Sequence, residues 1–519
     1  MDIQMKLIRS HGLPDRIAMA VIALYFIVGL FIAGTYGVNW DDGFQRQNGL
    51  DNWSFITGAD RAPLINSLDK YHGPAFEILL VMVEKGFGLA DSHDIYLSRH
   101  FMVFLFFTSV LLGFFLLCRS IFASSWLGLL GMCLLLLNPR IFAESFYNPK
   151  DIVFLGGMVW AMYSLYIFAE SPSLLKTIFH AFTCAFAIDV RVIGILCIPI
   201  TFALLGYYIY RNKYTAKEIW PIAIFYVLIL FVFMIMMWPI LSLDVFEQLW
   251  LAYKQLSNYT LFENGLNIYM GGHTRAGSMP WHYHWVWLLI TLPEVYIFLF
   301  VAGIIAFAAQ LCSRQLMGHA KKAFLFISLF LFFMPLIFRT ISLSVVLDGW
   351  RHMYFIYPFF VILIVYAAGL ALAMKRGMLQ YLALGVVALG MADSLVSIIA
   401  MHPYQYTYFN HTANAVFSPI DQKFEMDYWG VSYKQGLEYL AEHVTDTARI
   451  RIAVANAPGY DNYMFLPPEL RRRFQVAADN PSVQYYLTNY RTNWIPAPEY
   501  TYHRLTAQGN TVLGIYKLR

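Results

Sequence analysis

The chain has 519 residues, 59% hydrophobic and 18% aromatic, with only 13% charged. Its net charge of +4, with no basic stripe interleaved with base-stacking aromatics, excludes a nucleic-acid partner. Cys118, Cys133, Cys184, Cys197 and Cys312 all lie in or beside apolar segments, which excludes a disulfide framework in the polar C-terminal part, and no Cys-x-x-Cys spacing marks a metal site.

The first apolar run, Ile17–Val38, follows Lys6, Arg9 and Arg16. It is too long for a typical signal-peptide core and shows no small-residue cleavage site. It is therefore expected to be an uncleaved first membrane helix with its basic end in the cytoplasm. Directly after it stands Asn39-Trp40-Asp41-Asp42-Gly43. Two adjacent carboxylates thus leave the membrane surface together. Ionisable groups there are costly and tend to be functional; the plain alternative is a polar stop at a helix end.

Apolar windows of roughly 20 residues recur over the first four-fifths of the chain, the signature of a polytopic membrane protein. The predicted spans are Ile17–Val38, Phe101–Leu117, Trp126–Leu137, Ile152–Phe168, Leu174–Ile188, Val192–Tyr210, Ile219–Ile240, Tyr283–Ala309, Ala323–Phe338, Met353–Ala373 and Leu379–Ala400, about eleven in all. Trp126–Leu137 and Leu174–Ile188 are short and must tilt or borrow flanking residues. Phe44–Phe55, Pro74–Phe87 and Asp244–Ser257 are predicted as amphipathic helices on the membrane surface. The short loops dense in basic residues (Arg119; Lys176; Arg211, Lys213 and Lys217; Arg314, Lys321 and Lys322; Lys375 and Arg376) are assigned to the cytoplasm. An odd number of spans then places the first outer loop, 39–99, on the extracytoplasmic face. With it lie Asn138–Asp151, Asp189–Arg191, Ser242–Pro280, Arg339–His352 and everything after Met401.

Residues 1–400 are expected to form the membrane domain and 401–519 a small soluble α/β domain. In the latter, Ser432 is positioned to cap a helix over Tyr433–His443. Arg449–Ala455, Val483–Asn489 and Val512–Lys517 alternate as strands. Arg471-Arg472-Arg473 is expected to be a solvated face.

An acidic pair after the first helix, facing outward, resembles the GT-C glycosyltransferases. Most similar in motif are the bacterial relatives of protein O-mannosyltransferases (glycosyltransferase family 39-like) and of the transferase that adds aminoarabinose to lipid A. Asp41-Asp42 matches the family's Asp-Glu pair, with Asp at the second position. Tyr71-His72-Gly73-Pro74 is similar to the family's His-Pro-Pro with one proline lost. Arg99 matches the arginine opening the second helix, Asn148-Pro149-Lys150-Asp151 the outer loop ending in Asp, and Arg191 a site where many relatives carry lysine. Asp348-Gly349-Trp350-Arg351-His352, His402-Pro403-Tyr404-Gln405 and Asp427-Tyr428-Trp429-Gly430 resemble a bacterial subgroup.

The resemblance implies an inverting transferase in the inner membrane of a bacterium, moving a sugar from a polyprenyl phosphate to an extracytoplasmic lipid, glycan or protein acceptor. Asp41 and Asp42 are then the catalytic pair, Asp41 as base. His72, Arg99, Lys150, Asp151, Arg191, Arg351 and His352 serve the donor phosphate or substrate, and His402, Asp427 and Tyr428 lie on the acceptor side. No metal or other cofactor is assigned. The residue types suit that chemistry, because the acceptor must lose a proton to a carboxylate and a leaving phosphate gains charge that fixed cations stabilise. The histidines of His282-Tyr283-His284 would splay on a helix, which argues for aromatic-belt residues over a zinc pair. Two alternative functions fit less well. A glycan ligase or polymerase using a polyprenyl-diphosphate donor tends to lack the acidic pair, and a lipid-linked-sugar transporter or flippase predicts broken helices in two similar halves.

Overall fold

The computed structural model describes residues 12–257, 263–313, 317–342, 345–374, 377–445, 449–477, 483–491 and 495–518. Lys6, Arg9, Arg314, Lys375 and Arg376, assigned above to the cytoplasm, lie outside the described residues.

The chain is a polytopic helical protein. Among the described residues, nine helices are long and apolar enough to cross a membrane. Trp126–Leu137 and Leu174–Ile188 do form helices, Ser125–Leu136 with 12 residues and Leu174–Val190 with 17, but neither joins those nine. The expected Tyr283–Ala309 span is instead two helices, Tyr283–Thr291 and Glu294–Cys312. Pro293 lies between them, where its ring and missing N–H break the ladder. Side-chain caps mark several helix starts. Asp91 accepts from the His93 N–H at 2.8 Å to start Ser92–Phe122, and Asn138 accepts from Ile141 at 3.1 Å to start Pro139–Glu144. The helices Ser92–Phe122, Asp151–Glu170 and Tyr357–Ala373 form the packed centre. Leu13–Ile32 and Met378–Ala400 lie at the periphery, with broad apolar faces left exposed.

Helices stand at all three stretches expected to lie on the membrane surface, as Asp42–Thr57, Ala75–Gly86 and Val245–Ser257. The first two cross so closely that a Cβ on Gly49 would stand 2.8 Å from the Glu77 carbonyl oxygen. Gly73 is tighter still. A Cβ there would lie 1.7 Å from the backbone oxygen of Asp189, and the Asp189 carboxylate accepts from the Ala75 N–H at 2.7 Å. The Tyr71-His72-Gly73-Pro74 turn is thereby pinned to the end of Leu174–Val190.

A hairpin of β1 (Leu266–Tyr269) and β2 (Gly272–Arg275) follows the third surface helix. Its two-residue turn, Met270-Gly271, has positive φ at both positions, as tight hairpins require. The C-terminal sheet has five strands: β3 (Ile450–Val454), β4 (Phe474–Val476), β5 (Tyr485–Thr488), β6 (Thr501–Ala507) and β7 (Asn510–Lys517), in the order β4-β3-β5-β7-β6. β3 runs parallel to β4 and β5, and β7 runs antiparallel to β5 and β6. Sequence alternation finds β3, β5 and β7 but not the short β4 or the edge strand β6. The helix Tyr433–His443 packs on this sheet through Leu437 and Leu440 in a core of its own. Ser432 does not cap it with its side chain. Its hydroxyl donates instead to Asp427 at 2.5 Å.

The C-terminal sheet region is fastened to the segment that follows the first helix. Asn462 donates to the Val38 carbonyl and accepts from the Val38 N–H, both at 2.9 Å. The Trp40 N–H donates to the Trp429 carbonyl at 3.0 Å.

Candidate active site

Asp41 begins the helix Asp42–Thr57, and Asn39 sorts the acidic pair. The Asn39 side-chain oxygen Oδ1 accepts from the Asp41 N–H at 2.8 Å, its side-chain amide Nδ2 donates to Asp42 at 2.9 Å, and the same Nδ2 donates to the Tyr147 carbonyl at 2.7 Å. The two carboxylates therefore part company. Asp42 turns inward and is 1% exposed, 3.9 Å from Arg99. Asp41 turns outward, with 28% of its side chain open, and accepts from Arg351 at 2.7 Å.

Their environments push the two acids apart. Burial dominates at Asp42 and, with Glu77 and Asp41 nearby, outweighs Arg99, so its pKa rises to about 7. Burial would also raise Asp41, but Arg351 overrides it and, with Lys150 and Arg191, holds that carboxyl below its ordinary value. Asp41 is the open, ionised member of the pair.

Arg351 is the hub. Its guanidinium meets Asp41 at 2.7 Å, Asp348 at 2.8 Å and Asp151 at 3.4 Å, and lies 4.3 Å over the Trp429 ring. Asp348 adopts a left-handed φ of 60°, an unusual conformation that turns its carboxylate to both Arg351 and Arg491. Asp151 also pairs with Arg191. Asn148 orders the loop before it, accepting from the Asp151 N–H at 2.8 Å and donating to Asp151 at 3.2 Å and Glu144 at 2.7 Å. The Asn-Pro-Lys-Asp run is thus a built turn at the helix start.

Two cations stand near Asp41. Arg191 is partly exposed, and its Nε has no partner among the described residues. Lys150 makes no ion pair among them, and burial with Arg191 beside it lowers its pKa to about 8. His72 stands near both cations, 3.2 Å from Asp69. Burial and Lys150 bring it down to about 4, so it is a neutral imidazole at pH 7. His352 is half-buried within electrostatic reach of Arg191, Arg339 and His284. Arg99 sits behind the pair, donating to Glu77 at 2.7 Å.

The residues read as acceptor-side divide. Tyr428 is buried and donates to Glu144 at 3.1 Å. Asp427 accepts from the N–H groups of Gly430, Val431 and Ser432 at 2.7, 3.2 and 2.9 Å. Its carboxylate closes the loop that holds Tyr428 and Trp429 and is not turned to Asp41. His402 bonds Thr35 at 3.0 Å, at the end of the first helix, and faces Tyr36 and Gln405. Arg275 is exposed on β2.

Several members escape sequence reasoning. Glu77 and Glu84 are buried acids on the helix Ala75–Gly86, paired to Arg99 and Arg46. Their i, i+7 spacing, which puts both on one helix face, is a signal that was there to be read. Glu144, raised by burial to about 7, carries Tyr354, Tyr428 and Asn148. Arg491 comes from the far C-terminus. It donates to Asp348 at 2.5 Å and to the Tyr428 carbonyl at 2.6 Å and covers the Trp40 ring at 5.1 Å. Nothing local in the sequence marks it. Among the described residues no three His, Cys, Asp or Glu side chains converge as a metal-ligand set.

No family model and no curated protein matches the sequence. Among solved structures the chain is similar to ArnT from Cupriavidus metallidurans in the apo state, at 12% identity and a TM-score of 0.46, covering 96% of this chain and 98% of that one. It is also similar to the same protein bound to undecaprenyl phosphate, at 11% identity and a TM-score of 0.43, with the same coverage of 96% and 98%. A third is the Archaeoglobus fulgidus oligosaccharyltransferase tethered with an acceptor peptide, at 12% identity and a TM-score of 0.41, covering 81% of this chain. The chain spans 61% of that enzyme's length. Both proteins are GT-C glycosyltransferases, the family that the motifs resemble. At these identities and scores the chemistry is left to the chain's own residues.

Proposed function

We propose that the chain is an inverting glycosyltransferase that moves one sugar from a polyprenyl-phosphate donor to an extracytoplasmic acceptor. The observation that carries this is the separation of the acidic pair: one carboxylate buried, the other open and ionised beside Lys150, which makes no ion pair among the described residues, and Arg191, which is held by Asp151. Asp41 accepts the proton of the acceptor hydroxyl or amine as that oxygen or nitrogen bonds to the anomeric carbon. The bond from that carbon to the phosphate oxygen breaks in the same displacement, which inverts the centre. The leaving polyprenyl phosphate keeps the electron pair, and its charge falls to Lys150 and Arg191 as fixed cations. Arg351, engaged with three carboxylates, holds Asp41 ionised and aimed. His72 and His352 donate to phosphate or sugar oxygens. Asp42 and Arg99 support Asp41 from behind. In this scheme the cations do the work a metal would do, so chelators leave the rate unchanged.

The site is assigned to the outer face of a bacterial inner membrane, with the C-terminal region over it. The test is incubation of the purified protein with short-chain polyprenyl-phosphate sugars and mass spectrometry of the products. Release of polyprenyl phosphate, lost by about 10²- to 10⁴-fold in Asp41→Asn, is the expected result. Turnover of that variant within tenfold of the parent removes Asp41 from the role of base.

A further inference from the structure

A cavity of about 420 Å3 has Arg491 in its wall and does not include Asp41 in its lining. That is within the range of small-molecule sites, roughly 300–1,000 Å3. Its walls are the β1–β2 hairpin, the segment 421–428 and the open edge of the C-terminal sheet. The hairpin is held in place by the Gly271 N–H, which donates to the Lys423 carbonyl at 3.0 Å, and by a bridge from Tyr269 to Phe424.

Three features of the lining mark it as built for a ligand. Glu425 is 6% exposed, yet its Oε2 has no hydrogen-bond partner among the described residues. Its other oxygen is 4.0 Å from Arg491. A buried carboxylate oxygen left unsatisfied is costly, and a ligand donor removes the cost. Tyr490 lines the cavity with a φ of 62°. A bulky side chain in the left-handed region is a strained state that persists where its surroundings impose it. Here the imposing contacts are Asn489, which donates to the Asp427 carbonyl at 2.8 Å, and Arg491 on Asp348. Arg504, on β6, also lines the cavity and makes no ion pair among the described residues.

The charges choose the ligand class. Asp421, Glu425 and Asp427 line it together with Arg491 and Arg504, so neither a polyanion nor a simple cation gains from entering. A neutral polyol does. Each sugar hydroxyl both donates and accepts, so adjacent hydroxyls satisfy a carboxylate and a guanidinium at once. The cavity shares Tyr428 and Arg491 with the Asp41 cluster.

We propose that this cavity binds a pyranose unit of the acceptor, with Glu425 and Arg504 as its contacts and Arg491 in its wall. The word acceptor rests on the transferase proposal; the saccharide site does not. The test uses the full chain in detergent and a panel of methyl pyranosides (gluco, manno, galacto and N-acetylgluco), followed by saturation-transfer NMR, with phosphocholine as competitor. At least one glycoside is expected to bind, at least tenfold more weakly in both Glu425→Ala and Arg504→Ala and equally well in Asp41→Asn. Arg504 is exposed, so its variant probes the site without disturbing the core. No binding by any glycoside overturns the proposal, as does binding that neither variant weakens. Displacement of the glycosides by phosphocholine assigns the cavity to a lipid headgroup and overturns it too. Glycoside binding that stands while no polyprenyl-phosphate sugar is turned over leaves the saccharide site and removes the transferase.

Discussion

Replacing Arg351 with Ala should move the acid limb of the pH–rate profile upward. In the parent, burial favours protonation of Asp41, and Arg351 at 2.7 Å is the chief opposing charge. Asp151 keeps Arg191 and Asp348 keeps Arg491 when Arg351 is lost. Asp41 keeps only the longer-range pull of Lys150 and Arg191. A charge-assisted hydrogen bond is worth about 1.5–3 kcal/mol, so losing it should raise the Asp41 pKa and carry the acid limb upward with it. The sign follows from Asp41 acting as the ionised base. A depressed pKa keeps it competent down to low pH, and a raised pKa loses that competence earlier as pH falls. The assay is the initial rate of transfer from a short-chain polyprenyl-phosphate sugar between about pH 4 and 8, with the melting temperature followed alongside. Arg351→Lys, which retains a cation, should restore part of the shift. A limb that stays in place while kcat alone falls would refute this account and return Arg351 to the phosphate.

Lys150→Ala and Arg191→Ala should each weaken donor binding by roughly 1.5–3 kcal/mol, with Arg191→Lys milder, as measured by titration with the polyprenyl-phosphate sugar; unchanged affinity in both Ala variants places the phosphate elsewhere. Asp42→Asn should fold, and its melting temperature relative to the parent should rise as pH increases through about 7. The reason is that the buried carboxyl, whose folded pKa is raised, contributes most stability while protonated and loses it on ionising; a difference that falls over that window contradicts the assignment. A cysteine at exposed Ser418 should react with a membrane-impermeant maleimide in cells whose outer envelope admits the reagent, and one at exposed Ser313 should not. Labelling at Ser418 only after the membrane is opened would separate the C-terminal region from the outer face.

Hydropathy alone was enough for the class of fold, because an apolar run in a bilayer has few options besides a helix that satisfies its own backbone. Where tertiary structure intervened, local rules failed. Pro293 split one expected span, and Ser432 spent its hydroxyl on Asp427 instead of its helix. The strand β6 exists because β7 pairs with it, not because its own residues demand it.

In the site, position after the first apolar run drew attention to Asp41 and Asp42, where a charge has no cheap reason to be, while Asp151, Arg191 and Arg351 were singled out by the motifs' resemblance to a family. Which of two adjacent aspartates stays ionised could not be read from order along the chain. It depends on Asn39 turning one inward and on Arg351, 310 residues away, meeting the other. Glu144, Asp348 and Arg491 share that character. Each is an ordinary charge until folding removes its water and supplies its partners, and both the cost of burial and the partner's distance are properties of the folded chain alone.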